Sequence, residues 1–225
     1  MAKDTPTKEK KPAGSGGGGK PKHDDAAASN EPAQPARLRV KYAEEVRKAL
    51  AEEFGVTNPM AQPRLQKIVL NVNIGRHLDG NKMPASVKDT VVATLTKVSA
   101  QKPVLIKAKK SVSNFKVREG ADTAYMVTLR RDRMWHFLDR LINLGLPRVK
   151  DFRGVSDKAF DAQGNYSMGL SEQGVFPEIN MADVNFTHGM NINMCFSNSD
   201  PKKSRFALEK LGFPFKKPEE RRKKS

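Results

Sequence analysis

Cysteine is almost missing from this chain. The single one, Cys195, has no partner for a disulfide framework and no CxxC mate for a structural zinc site. No apolar run approaches the ~18 residues that span a bilayer. The histidines His23, His77, His136 and His188 are scattered and give neither an HExxH pattern nor a spaced metal set. Between Met1 and Leu38 there is no Val, Ile, Leu, Phe, Tyr or Trp, so Lys3 and Lys8 precede no apolar segment of a secretory signal. Two glycosylation-like triplets, Asn165-Tyr166-Ser167 and Asn185-Phe186-Thr187, therefore read as chance matches in a cytosolic protein. These absences describe a soluble chain of a reducing compartment, with no metal, no cofactor and no membrane expected.

What is abundant is positive charge. The 225 residues carry 41 Lys and Arg against 25 Asp and Glu, a formal charge of +16. Residues 1–37 contribute 7 basic and 5 acidic residues, 38–215 contribute 28 and 18, and 216–225 contribute 6 and 2. Most of the excess thus lies where a core can form. A field of that sign attracts polyanions, nucleic acid before an anionic membrane.

Residues 1–37 are Lys, Ala, Pro and Gly-rich and read as a disordered arm, because nothing in them offsets the entropy of ordering. Gly14 to Lys20 mimics the start of a phosphate-binding loop. Pro21 stands where the hydroxyl for magnesium is needed, and no strand precedes it, so the match is a low-complexity accident. A folded domain is read over 38–217, and 218–225 is a charged tail.

Periodicity gives the elements. Leu38, Tyr42, Val46, Leu50 and Phe54 predict a helix over 38–54 with Gly55 as its cap. Ile68, Leu70, Val72 and Ile74 alternate with Lys67, Val69, Asn71 and Asn73, a strand with one aliphatic and one mostly polar face. A helix over 86–99, strands over 104–107 and 123–130, and a helix N-capped by Asp132 and ended by Gly145 and Pro147 follow. Residues 154–165 read as a loop, 166–170 and 190–196 as strands, and Asp200-Pro201 opens a last helix closed by Gly212. The order is that of an α+β fold: a single domain, an antiparallel-rich sheet with helices packed on one face.

Gln101–Arg118 is the most informative segment. Lys102, Lys107, Lys109, Lys110, Lys116 and Arg118 stand there without an acid, interleaved with Ser111, Ser113, Asn114 and a lone aromatic, Phe115. On a protruding strand-to-strand loop, such lysines meet phosphates as mobile charges while the hydroxyls bond phosphate or ribose oxygens. Arg130, Arg131 and Arg133 flank Asp132, and Arg148, Lys150 and Arg153 gather around Asp151. RNA contact and plain ion pairing at element ends explain these two clusters equally well. Asn71, Asn73, Thr128 and Arg130 suit base edges and 2′-hydroxyls on an open sheet face. Catalysis finds little support: there is no nucleophile elbow, and Cys195 in an alternating strand reads as a small core residue. The rivals are an RNA-modifying enzyme using the same basic face and a nucleic-acid chaperone driven by the tails.

These residues also carry a resemblance. Pro63-Arg64, Lys67-Ile68 and Leu70-Asn71 lead to Gln101-Lys102-Pro103, Lys107-Ala108, Lys110-Ser111-Val112 and Phe115-Lys116. Val127-Thr128-Leu129-Arg130 follows, then Asp151-Phe152-Arg153-Gly154, Gly164-Asn165-Tyr166-Ser167-Met168-Gly169 and Phe213-Pro214-Phe215. In collinear order over 38–217 the chain resembles the bacterial form of the fifth large-subunit ribosomal protein, the 5S-rRNA-binding family of the central protuberance. The resemblance implies a non-catalytic protein of the cytoplasmic ribosome that attaches 5S rRNA, beside 23S rRNA and neighbouring large-subunit proteins, with no homo-oligomer. Carried over by position, Asn71, Gln101, Lys102, Thr128, Arg130 and Arg133 would bind 5S rRNA. Lys107, Lys109, Lys110, Ser111, Ser113 and Lys116 would form a loop reaching the P-site tRNA. Arg153, Asp157, Lys158 and Tyr166 would form a bridge to a small-subunit head protein. The sequence departs from the family pattern at Ala100, usually Gly, at Ser113-Asn114, usually Ala-Gly, and at Arg131-Asp132, usually Gly-Glu.

Overall fold

The structure, a computed structural model, describes residues 35–75, 83–115, 117–184 and 186–216. The arm up to residue 34, Lys116 and the tail from residue 217 lie outside the described residues.

The centre of the fold follows from one alternating segment. In β1 (Arg64–Asn73), Leu65, Ile68, Leu70 and Val72 are buried while Lys67, Val69, Asn71 and Asn73 point the other way. A register irregularity between Leu65 and Lys67 resets the alternation. β1 pairs antiparallel with β3 (Asp122–Leu129) and with β5 (Met190–Ser197). β2 (Val104–Lys107) and β4 (Tyr166–Leu170) close the two edges, giving the order β2-β3-β1-β5-β4 with every pair antiparallel.

The aliphatic side of this sheet joins one core with helices α1 (Arg37–Lys41), α2 (Arg47–Phe54), α3 (Ala85–Ser99), α4 (Arg131–Arg140) and α5 (Pro201–Leu211). The α+β reading therefore holds, with the strands at 104–107 and 166–170 bounded as their alternation predicts. The first helix takes in Arg37, and Ala36 before it is buried.

Helix geometry departs from the sequence expectation in three places. Leu38, Tyr42, Val46 and Leu50 recur every four residues, which in an ideal α-helix rotates the stripe by about 40° per step. A π turn at Tyr42–Val46, between α1 and α2, widens the helix and keeps those side chains on the core, where the Tyr42 hydroxyl donates to the Pro63 carbonyl. At α4 the N-cap is Arg130, in an extended conformation, rather than Asp132. Asp132 lies in the first turn, where its carboxylate faces the helix dipole and accepts from Arg39 at 2.6 Å. Nor does Gly145 end that helix. It keeps a helical φ of −72°, buried against Leu141 and Val175, and the chain runs on through Leu141–Gly145 and Leu146–Arg148. Gly55 and Gly212 do cap their helices in the left-handed conformation.

Candidate nucleic-acid interface

Among the described residues no helix covers the other side of the sheet, and strand register sets its side chains in rows. One row runs across all five strands: Val104, Met126, Asn71, Asn191, Gly169. The next runs Thr128, Val69, Asn193, Ser167, and beyond it Lys67 lies beside Cys195. The face thus mixes amides and hydroxyls with the apolar Val69, Met126 and Val104, the last 62% exposed at one corner. Asn71 sits at its middle, and its Oδ1 is buried without a hydrogen-bond partner. Such an acceptor costs stability. Asn191, Asn193 and Ser167 were missed as site residues. Their alternation was visible in the sequence, but only the strand order showed that they flank Asn71. Cys195 is half-buried on this open face and not in the core, because its neighbours Met194 and Phe196 take the inward positions.

Thr128 lies toward the end of the sheet where β3 passes Leu129 into exposed Arg130 and then α4. Because β2 and β3 are antiparallel, Lys102 precedes Val104 toward that same end. Arg133 is exposed one turn into α4. Gln101 is half-buried, its N–H donating to the Ser99 hydroxyl across a turn in which Ala100 holds a φ of +51°. The site residues carried over for 5S rRNA therefore gather on the open face and one end of the sheet. Asp132, a candidate to neutralise the neighbouring arginines, is taken by Arg39 instead.

The basic loop leaves from the opposite end. Between β2 and β3 the hairpin continues through hydrogen bonds of Ala108 with Ala121 and Gly120, and of Val112 with Val117. Lys107, Lys109, Lys110, Ser113 and Arg118 are exposed on it, and a short 3-10 turn, Ser113–Phe115, presents Phe115 with 78% of its surface open. Ser111 has a shaping role as well, its Oγ accepting the Glu119 N–H at 2.9 Å. At its base, Lys88 on α3 meets Asp122 at 2.5 Å, and that hydrogen bond holds the Lys88 pKa above its ordinary value. The eight residues of β3 separate this hairpin from Arg130 by roughly 23 Å at ordinary strand rise.

The third expected surface divides. Arg153 and Lys158 are exposed. Tyr166 is not: it is fully buried, its ring packed by Phe160, Phe213 and Phe215 and its hydroxyl donating to the Ser156 carbonyl at 2.6 Å. Burial pushes its pKa up. Its side chain belongs to the inward set of β4, so it is a core residue and offers nothing to a partner. Asp157 is half-buried, with Arg205 3.5 Å away. Among the described residues no cluster of His, Cys, Asp and Glu could hold a metal ion.

Together these features define a class: a basic α+β scaffold that turns one sheet face and one cationic hairpin outward and stabilises both from behind with helices. Known proteins place it further. A family model described as ribosomal protein L5 matches residues 58–118, and a second, described as the C-terminus of that ribosomal family, matches 122–215. The large ribosomal subunit protein uL5 of Acidobacterium capsulatum is 48% identical over 181 residues, 80% of this chain and 97% of that protein. The uL5 of Bdellovibrio bacteriovorus is 48% identical over 80% of this chain and 99% of its own length, and that of Natranaerobius thermophilus 48% over 80% and 98%. The chain belongs to the ribosomal protein L5 family, structural and non-enzymatic components of the ribosome, which is cytoplasmic in bacteria. Membership brings association with ribosomal RNA and other ribosomal proteins.

Proposed function

We propose that this protein is a structural constituent of the large subunit that attaches 5S rRNA in the central protuberance, beside 23S rRNA, through the open sheet face and its Arg130 end. Asn71, Gln101, Lys102, Thr128, Arg130 and Arg133 form the contact, extended by Asn191, Asn193 and Ser167. The amides of Asn71, Asn191 and Asn193 beside the hydroxyls of Thr128 and Ser167 on one sheet face carry this reading, because such groups pair with 2′-hydroxyls and base edges. Arginine and lysine at the sheet end add phosphate neutralisation. The β2–β3 hairpin, with Lys107, Lys109, Lys110, Ser111 and Ser113, reaches the P-site tRNA. Lys116, carried over for the same loop, lies outside the described residues. Arg153 and Lys158 face the small-subunit head protein as a bridge.

Footprinting of 5S rRNA tests the division. Arg130→Ala abolishes most of the protection, whereas Lys109→Ala with Lys110→Ala leaves it in place and weakens only tRNA contact. Equal loss of both activities in both folded variants would refute two separate surfaces.

A further inference from the structure

At the β4 edge the sheet stops but its bonding capacity does not. The Ser167 N–H donates outward to the Ala159 carbonyl, and Phe160 bridges Tyr166, so the segment before β4 covers only the first half of the strand. By strand alternation the N–H and C=O of Gly169 point the same way, away from β5. They face a cavity of about 620 Å³ between β4, the end of the α4 region and residues 149–156. Its apolar wall includes Leu146, Val149, Phe152, Met168 and Leu170, and Arg153 and Lys216 stand on its rim. An unpaired edge beside an apolar slot is what a protein normally blocks with a charge, a bulge or a covering segment.

We propose that this edge receives a short extended segment of a partner protein as an added strand, one whose alternate residues are apolar and acidic. The occupant's pattern follows from the geometry. Strand addition alternates side chains, so one set enters the slot beside Met168 and Leu170 while the backbone bonds Gly169. The other set lies by the rim, where Arg153 and Lys216 form no ion pair among the described residues. Lys150 is neutralised by Glu172, and Asp151 places one carboxylate on the same rim, which leaves a positive excess. The chain's own C-terminus is unsuited: residues 217–225 hold five basic residues against Glu219 and Glu220. A second copy, at +16, is repelled as well. RNA satisfies the rim charge but has no use for a strand edge beside an aliphatic slot. The site shares Arg153 with the bridge surface and borders Ser167 of the open face, but the edge backbone of Gly169 on which it rests takes no part in the RNA-binding reading.

The probe is a synthetic hexapeptide of alternating valine and glutamate, titrated into the isotope-labelled full-length chain. The Gly169 amide is expected to gain protection from hydrogen exchange, with shifts confined to residues 166–170 and the slot and none at Asn71. Arg153→Glu combined with Lys216→Glu lowers the affinity at least tenfold while the fold, followed by circular dichroism, is unchanged. Gly169→Pro, which removes the edge N–H, does the same. A valine–lysine peptide binding as tightly as the valine–glutamate one overturns the proposal, as does absence of Gly169 protection at millimolar peptide. A short RNA duplex that protects Gly169 and displaces the peptide overturns it too, assigning the edge to RNA. Saturation with peptide leaves 5S rRNA capture intact, so failure here and failure of the open-face reading are separate results.

Discussion

Ile68, Leu70 and Val72 share a strand with Lys67, Val69 and Asn71, yet the two sets lead different lives. The first is sealed under five helices, each side chain within a single core. The second is half-buried on the other face, and one of its members holds a buried acceptor with no hydrogen-bond partner among the described residues. A two-residue period thus assigns core packing to one side of a sheet and leaves the other for the proposed recognition within the same ten residues. The division also explains why a basic protein tolerates an uncovered face: the packing that holds the sheet together lies entirely behind it.

That division can be broken most severely at Tyr166. Tyr166→Ala, which empties the aromatic cluster, costs about 3–5 kcal/mol in denaturant unfolding. If Tyr166→Ala left stability unchanged, the residue would belong to a surface after all. Adjacent residues give the sharper contrast. Leu70→Ala loses about 2–5 kcal/mol, whereas Asn71→Ala costs no more than about 0.5 kcal/mol, its buried acceptor having no partner among the described residues to lose. Asn71→Ala instead weakens 5S rRNA binding about tenfold in filter binding, the worth of one good hydrogen bond. On the hairpin, Lys109→Ala with Lys110→Ala flattens the salt dependence of log K for tRNA by about 1.4 to 1.8 and leaves thermal unfolding in place. Ala100→Gly relieves a left-handed alanine beside Gln101 and raises stability by about 0.5–1 kcal/mol in the same unfolding assay.

The smallest effect is in the turn before β4. The Asn165 side-chain amide donates to Asp161 at 2.8 Å and, with the backbone N–H groups of Asn165 and Gln163, holds the Asp161 carboxyl below the ordinary carboxylate range. The stability this adds is present at neutral pH and is lost as pH falls through the lowered value. An NMR titration of Asp161 checks it: in Asn165→Ala the midpoint moves up toward the ordinary range.

Local pattern proved a sound guide wherever one strand or helix decides its own geometry. The spans at 104–107 and 166–170 and the capping by Gly55 and Gly212 were all legible. What failed depended on neighbours distant in the chain. Asp132 was drawn from the cap by Arg39, 93 residues away. Tyr166, which the resemblance alone puts on the bridge surface, is buried because Phe213 and Phe215 close around it. Cys195, in an alternating strand, reads as a small core residue, but its parity with Asn191 and Asn193 places it half-buried on the open face. The functional lane was half legible for the same reason. Asn71, Thr128, Asn191 and Asn193 all lie in segments of evident alternation, but only the pairing of β5 with β1 sets Asn191 and Asn193 beside Asn71 and Val69.

The position of β1 between β3 and β5 has a consequence in time. Synthesis delivers chain at roughly 5–20 residues per second. β1 ends at Asn73 and β5 begins at Met190, 117 residues later (190 − 73), so one whole edge of the central strand waits about 6 to 23 seconds for its mate. Through that interval the aliphatic row of Ile68, Leu70 and Val72 has only β3 and the early helices to shelter it. A newborn copy is therefore most vulnerable to clumping just before its final strand emerges, and chaperone capture should peak on chains stalled in that window.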